Sequence, residues 1–133
     1  MVGLGRWSRP MKVDVAMAPS AMEVSGRYAF EDHDALLTPV LFTTAFPHLQ
    51  DGTILTRQLH VSGEARPYRS VLWWTGMFGV LGLPVAVPPV GRTDDGLPVG
   101  VQVVTPYLRD RDAIRTAGLI ADVAGGYDVP PGC

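Results

Sequence analysis

Residues 81–104 read LGLPVAVPPVGRTDDGLPVGVQVV, and this stretch decides the fold. Valines alternate with other residues on both sides of residues 93–96, TDDG, whose residue types tolerate the positive φ of a tight turn. A Gly-Leu-Pro triplet precedes each valine run. The pattern predicts a β-hairpin, and its second strand carries three valines on one face: Val99, Val101 and Val103.

A helix is predicted immediately before the hairpin, over residues 67–82. Pro67 suits its first turn, where the missing N–H costs nothing. Gly76 and Gly79 weaken this helix by about 1 kcal/mol each relative to alanine, and they would let a neighbouring element approach closely. Three large residues share one face because of their spacing: Val71, Trp74 and Phe78. Aromatic residues at this spacing either pack in a core or line an apolar pocket, and the pocket alternative uses Trp74 and Phe78 as its wall.

Shorter elements flank this unit. Residues 34–38 are an apolar run closed by a proline, which indicates a buried strand, and residues 59–61 predict a second strand that ends at a Ser-Gly turn. Residues 40–58 between them read as a long surface connection. The fold class is therefore α/β, or an α+β fragment: a hairpin and short strands packed with two to three helices.

A final helix is predicted over residues 111–124, capped by Asp110 or Asp112 and ended by two glycines. Its inward stripe is expected to contain four residues: Ile114, Ala117, Ala121 and Ala124. Residues 1–24 show no periodicity and are expected to be poorly defined, whereas residues 25–30 read as the end of a helix. This divides the chain into a segment 1–24 and a domain portion 25–133.

Composition restricts the function classes. The 133 residues are 47% apolar with a net charge of −2, so neither disorder nor binding to nucleic acid or an anionic membrane is indicated. No segment approaches the roughly 18 consecutive apolar residues of a membrane span, and the N-terminus lacks a secretory pattern, so we expect a cytoplasmic protein. The sole cysteine, Cys133, excludes an intrachain disulfide.

Residues able to carry chemistry are scattered along the chain. The single lysine is Lys12, and every serine is isolated, including Ser62 in its predicted turn. Three histidines could in principle join a serine and an aspartate: His33, His48 and His60. Residues 31–34, EDHD, read as a polar helix end because neighbours in a linear run rarely converge on one metal ion. No catalytic residue, cofactor site or metal site is assigned.

The Gly-Leu-Pro hairpin resembles the C-terminal part of the amidase signature family, serine hydrolases that cut amide bonds. Supporting pieces are residues 28–39, YAFEDHDALLTP, residues 45–48, AFPH, and residues 109–112, RDRD. The most specific motif residues are Gly82, Leu83, Pro84, Asp95, Gly96, Leu97, Pro98, Gly100 and Gln102. Two positions depart from the family pattern: Gly79 stands where many members have asparagine, and Thr105 stands where glycine is common.

The resemblance implies a large mixed sheet covered by helices, whose C-terminal part completes the sheet and helps to wall the substrate cleft. It also implies a catalytic pair of serines and a lysine base, and no glycine-flanked serine pair occurs in this sequence. Four functions remain open. The chain is an amidase remnant without activity, half of a split amidase, a non-catalytic binding or interaction module that reuses the hydrophobic edge, or a small hydrolase of its own. The partners expected are the N-terminal amidase portion or, by self-association, a second copy of the chain.

Overall fold

The computed structural model describes residues 13–15 and 30–130. Within these residues the chain forms a mixed sheet, a separate two-stranded sheet and two α-helices. The strands are β1 Val13–Val15, β2 Ala35–Pro39, β3 Gln58–Val61, β4 Glu64–Pro67, β5 Val85–Ala86, β6 Pro89–Arg92 and β7 Pro98–Val104. A 3₁₀ turn, Tyr68–Val71, leads into α1 Leu72–Val80, and α2 is Asp110–Ala124. The predicted α/β class is confirmed.

Strand β7 organises the mixed sheet. It pairs antiparallel with β2 on one side and with β5 and β6 on the other, while β1 joins the far edge in parallel with β2. The β5–β6–β7 arrangement is the predicted hairpin, but its first strand is interrupted at Val87 and Pro88, and its pairing register with β7 shifts between Pro89 and Gly91. Proline has no N–H to donate to the ladder, so it favours such a break.

The core lies between α1 and the centre of the sheet. Leu36 of β2, Val104 of β7 and Phe78 of α1 form its buried cluster, and Phe78 is 0% exposed. Leu36 and Val104 are direct cross-strand partners, so both side chains stand on the face that α1 covers. Four partly buried apolar residues surround the cluster: Phe30, Met77, Leu81 and Leu83.

The helix before the hairpin begins later than predicted. Pro67 ends β4, which pairs with β3 across the Ser62-Gly63 turn, so the residues expected to open the helix instead form a strand and a 3₁₀ turn. Strand β4 has no buried residue, and it therefore lacks the alternation that would have revealed it. The predicted strand at residues 59–61 and the strand at residues 34–38 are both confirmed.

The inward face predicted for helix α2 is right only in part, since Ala117 and Ala121 are half-buried. Its buried residues are Ala113 and Thr116, whereas Ile114 is 68% exposed and Ala124 is also exposed. Small residues occur on several faces of this helix, so the spacing of alanines gave a poor estimate of the inward direction. Gly125 ends the helix in the left-handed conformation as expected, and Arg109 occupies the N-cap position without a capping side chain.

The segment 1–24 contains one described element. Strand β1 lies within it and extends the mixed sheet. The helix end expected at residues 25–30 lies outside the described residues apart from Phe30, and Lys12 and the first three serines lie outside them as well. The domain boundary at residue 24 stays a prediction.

Candidate functional site

The first Gly-Leu-Pro triplet ends α1 and begins β5. The N–H of Gly82 donates to the carbonyl of Gly79 at 3.1 Å, and the N–H of Leu83 donates to the carbonyl of Phe78 at 3.0 Å. Together with a φ of +66° at Gly82, this is a Schellman motif, in which the glycine adopts a left-handed conformation that side chains disfavour. Leu83 packs against the core cluster that contains Phe78, and the carbonyl of Pro84 accepts the N–H of Thr105 at 3.1 Å.

The second triplet begins β7 after the tight turn between β6 and β7. The N–H of Gly96 donates to the carbonyl of Thr93 at 2.8 Å, and the N–H of Leu97 donates to the hydroxyl Oγ1 of Thr93 at 3.0 Å. The Arg92 guanidinium donates to the carbonyl of Gly96 at 3.0 Å. The aspartate of the motif, Asp95, occupies an exposed position in this turn, which is held by backbone groups, the Thr93 hydroxyl and the Arg92 guanidinium.

Gly100 lies where β7 passes the interrupted part of the hairpin. A Cβ at this position would stand 2.9 Å from Cγ1 of Val87 and 3.3 Å from the carbonyl oxygen of Pro88. That carbonyl accepts the N–H of Val101 at 3.2 Å, so the two strands are hydrogen-bonded at this close approach. The glycine is therefore required by the short distance between the strands and not by a turn.

Gln102 connects three elements at the centre of the molecule. Its Nε2 donates to the carbonyl of Pro39 at 2.7 Å, to Oγ1 of Thr38 at 3.3 Å and to the carbonyl of Trp74 at 3.3 Å. Gln102 and Thr38 are cross-strand partners and both are buried, while the Trp74 carbonyl belongs to α1. A buried amide that is paired in this way fixes α1 against the β2–β7 pair.

The two departures from the family pattern fit the local structure. Thr105 is fully buried, and its hydroxyl donates to the carbonyl of Arg109 at 3.0 Å, linking the end of β7 to the start of α2. Gly79 supplies one of the two carbonyls that accept in the Schellman motif. Sequence reasoning noted both positions as poorly fitting, and it missed the structural role of Thr38, which no local pattern distinguishes from other strand threonines.

An open groove of about 550 Å³ adjoins the motif, and its lining has no charged side chain. Pro98 and Gly100 line it from β7, and Tyr127 lines it from the segment after α2. The remaining lining consists of residues 40–45 together with Val87, Pro89 and Val99. Part of the predicted surface connection therefore forms a groove wall, a role that its mixed composition does not signal.

Trp74 and Phe78 do not line this groove. The side chain of Phe78 belongs to the core cluster, in agreement with the core alternative for its helical spacing, and Trp74 is half-buried. A second open space of about 570 Å³ lies on the other side of Tyr127, and Arg92 and Asp128 line it with their paired side chains.

The candidate nucleophiles and bases are dispersed. Ser62 lies in the exposed β3–β4 turn, Ser70 in the 3₁₀ turn, and His60 on the exposed side of β3. Throughout residues 30–130, no serine or histidine side chain hydrogen-bonds to another side chain. The described residues also contain no cluster of histidine, cysteine or acidic side chains able to hold a metal ion. Among the same residues, no helix has the length and apolar character needed to cross a membrane.

Comparison with known proteins gives a consistent relationship. The family model described as Amidase matches residues 14–114. Fatty-acid amide hydrolase 2-A of Danio rerio is 44% identical over 57 residues, covering 43% of this chain and 11% of that protein. Acylamidase of Rhodococcus erythropolis is 32% identical over 108 residues, covering 75% of this chain and 20% of that protein.

Solved structures agree with these matches. The crystal structure of an amidase superposes with a TM-score of 0.60 and 28% identity, covering 74% of this chain and 21% of that chain. The structure of 6-aminohexanoate cyclic dimer hydrolase superposes with a TM-score of 0.57 and 25% identity, covering 78% of this chain and 22% of that chain. The chain thus spans about a fifth or less of the length of most of these relatives. Because the family model matches well over half of its residues, this chain belongs to the amidase family, of which it carries a fragment of the fold.

Proposed function

We propose that this chain is the C-terminal part of an amidase fold and that it does not hydrolyse amide bonds alone. The observation that supports this is the structural role of each motif residue. Gly82 ends helix α1, Gly100 permits the close approach of two strands, and Gln102 joins three elements. These roles are structural and not catalytic. The motif is therefore a scaffold for a reaction whose reacting groups belong elsewhere.

Amide hydrolysis needs a nucleophile, a base that removes its proton and donors that stabilise the oxyanion. The resemblance implies two serines and a lysine for the first two tasks. Lys12 is the only lysine and no serine pair accompanies it in the sequence, while Ser62 lies in the exposed β3–β4 turn and the half-buried Ser70 lies in the 3₁₀ turn. A scaffold without these groups can position a substrate but cannot activate a nucleophile.

An alternative is that the chain is half of a split amidase. The apolar groove beside Gly100 is open and uncharged, as expected of a cleft wall whose opposite side comes from another polypeptide. A non-catalytic interaction module is the second candidate, and the apolar outer side of α1 favours it because Leu72, Trp73 and Val80 are exposed there. A cytoplasmic location stays a prediction under each proposal.

The test is an amide-hydrolase assay of the purified chain with simple aryl and aliphatic amides. Circular dichroism establishes that the sample is folded. We expect no turnover above buffer, and no difference between the wild type and Lys12→Ala. Turnover that is lost in Ser62→Ala or His48→Ala would contradict the proposal, because a site of the chain's own would then exist.

The split-enzyme alternative is tested by addition of a second polypeptide. The probe is the Rhodococcus erythropolis acylamidase from which the region matched by this chain has been removed. Activity that appears in the mixture and in neither component alone would favour a split enzyme. The matched control is the chain with Phe78→Ala, whose core is disrupted and which should not support activity.

A further inference from the structure

The β3–β4 hairpin turns one face towards the rest of the molecule. Leu59 and Arg66 are direct cross-strand partners, and the N–H of Tyr68 donates to the carbonyl of Arg57 at 3.0 Å, which continues the ladder by one pair. Because side chains alternate along a strand, these four residues share one face, here called the inner face of the hairpin. It contains the buried Leu59. The residues that alternate with them are all exposed: Gln58, His60, Ala65 and Pro67.

Three ring contacts join this inner face to the connection that follows β2. The guanidinium carbon of Arg66 lies 5.6 Å from the ring centroid of Phe42. The ring of Tyr68 meets that of Phe46 edge to face, with centroids 5.9 Å apart and planes at 89°. Arg57 lies over the same tyrosine ring, 5.8 Å from its centroid. All three arrangements have the geometry of attractive cation–π and T-shaped contacts.

The two phenylalanines belong to a wall of the apolar groove. Residues 40–45 line the groove and contain neither helix nor strand. Phe42 is one of these residues, and Phe46 follows them directly. The hairpin therefore contacts the wall on both sides of residues 43–45, a segment that has no ladder hydrogen bonds of its own.

Arg57 also holds the backbone that follows the wall. Its Nε donates to the carbonyl of Asp51 at 3.1 Å, and its Nη2 donates to the carbonyl of Gln50 at 3.4 Å. One arginine thus contacts both the ring that meets Phe46 and the chain a few residues beyond it. The inner face of the hairpin contributes these contacts although the hairpin has almost no core of its own.

We propose that the β3–β4 hairpin is a positioning element for the groove, in which Arg66 and Tyr68 hold residues 42–46 in place. Neither residue lines the groove, so Arg66 acts through Phe42 and Tyr68 acts through Phe46. The inference does not rest on the proposed function, because it concerns the groove of this chain before anything occupies it.

The first experiment is ¹⁵N relaxation of the full chain, which gives backbone order parameters for residues 41–46. None of these residues is proline, so each has an amide signal. We expect values of about 0.85 in the wild type and a fall towards about 0.6 in Arg66→Met and in Tyr68→Leu, because each change removes a ring contact and keeps an apolar side chain. Tyr68→Phe keeps the ring and should retain the wild-type values. Arg69→Met, the same change at an exposed arginine of the 3₁₀ turn, is the matched control and should also retain them.

The same spectra separate a local role from general destabilisation. Helix α2 should keep its order parameters in every variant, since none of the three ring contacts involves it. Unchanged values at residues 41–46 in both Arg66→Met and Tyr68→Leu would overturn the proposal. Equal losses in α2 and in residues 41–46 would overturn it as well. So would a loss confined to residues 58–67, because the connection would then hold the hairpin and not the reverse.

Chymotrypsin, which cleaves after aromatic residues, gives an independent measure of how often the wall opens. The Phe42–Thr43 bond lies within the wall, whereas Phe46 is followed by a proline and resists cleavage. Cleavage at Phe42 should accelerate by roughly two- to fivefold in Arg66→Met, the effect of losing one exposed cation–π contact. Cleavage after the exposed Trp73 in the same digest is the internal standard and should not change. Equal acceleration at the two sites, or none at Phe42, would contradict a positioning role for Arg66.

Discussion

Two strand pairs in this molecule have the same backbone pairing and opposite surroundings. The β2–β7 pair and the β3–β4 pair are both antiparallel, and each aligns four residues with four. The first joins segments about sixty residues apart and buries Leu36, Thr38, Gln102 and Val104, whereas the second is local and buries Leu59 alone. Because ladder hydrogen bonds are common to both, we expect side-chain burial, and not strand pairing, to make the difference in stability between the two pairs.

The largest expected effect is that of Phe78→Ala, which removes the ring that α1 places over the β2–β7 pair. Phe78 is wholly buried, so we expect a loss of about 3–5 kcal/mol in the free energy of unfolding. Small domains have about 5–15 kcal/mol in total, so this loss would be a large fraction of the stability of the chain. Urea denaturation followed by circular dichroism measures the change. Trp73→Ala, on the exposed side of the same helix, is the control and should change the free energy by about 0.5 kcal/mol or less.

The next largest effect is expected at Gln102, where Gln102→Leu keeps the volume and removes the donor. The carbonyls of Pro39 and Trp74 and the hydroxyl of Thr38 each lose a partner in a buried environment. We expect a loss of about 2–3 kcal/mol, because unsatisfied buried acceptors cost more than the bond itself contributed.

A double-mutant cycle with Thr38→Val gives the sharper result at this site. The second change removes one of the orphaned acceptors, so it should cost less in the Gln102→Leu background than in the wild type. Additive effects would mean that the Gln102–Thr38 hydrogen bond contributes nothing to the stability of the β2–β7 pair.

The mixed sheet and the β3–β4 pair also differ in how well the sequence predicted them. Gly82, Gly96 and Pro98 occur at turns and strand starts with local chemistry of their own, so the β5–β7 hairpin and the end of α1 were predictable. Strand β4 was not, because it is exposed throughout and Pro67 is equally suited to opening a helix. For the candidate site, Gln102 was singled out by the resemblance to the amidase signature family. Its hydrogen-bond partners could not be predicted, because they lie on β2, 63 and 64 residues away, and on the backbone of α1. Such pairing depends on topology, which no local periodicity encodes.

A smaller effect is expected from Gly100→Ala, which tests the close approach between β7 and the interrupted strand. The added methyl would lie 2.9 Å from Cγ1 of Val87 and 3.3 Å from the backbone oxygen of Pro88, so one strand must move. Overpacking of this kind costs about 1–3 kcal/mol. Val87→Ala in the same chain removes the nearer contact and should recover part of the loss, whereas a full recovery would show that the Pro88 carbonyl is not a constraint.

The smallest effects are expected at two ion pairs that match in geometry and differ in span. Glu64–Arg66 and Asp128–Arg92 both have N–O distances of 3.2 Å and similar exposure, but the first joins residues two apart within β4 and the second joins the segment after α2 to β6. Solvent screening limits each pair, so Glu64→Gln and Asp128→Asn should each cost about 0.5 kcal/mol or less in urea denaturation. The long-range pair should have the additional effect of slowing proteolysis after Gly126, because it holds the segment after α2 against the sheet. Equal proteolysis of the wild type and Asp128→Asn would mean that the pair does not restrain this segment. In urea denaturation, a larger stability loss for Glu64→Gln than for Asp128→Asn would reverse the comparison between local and long-range contacts.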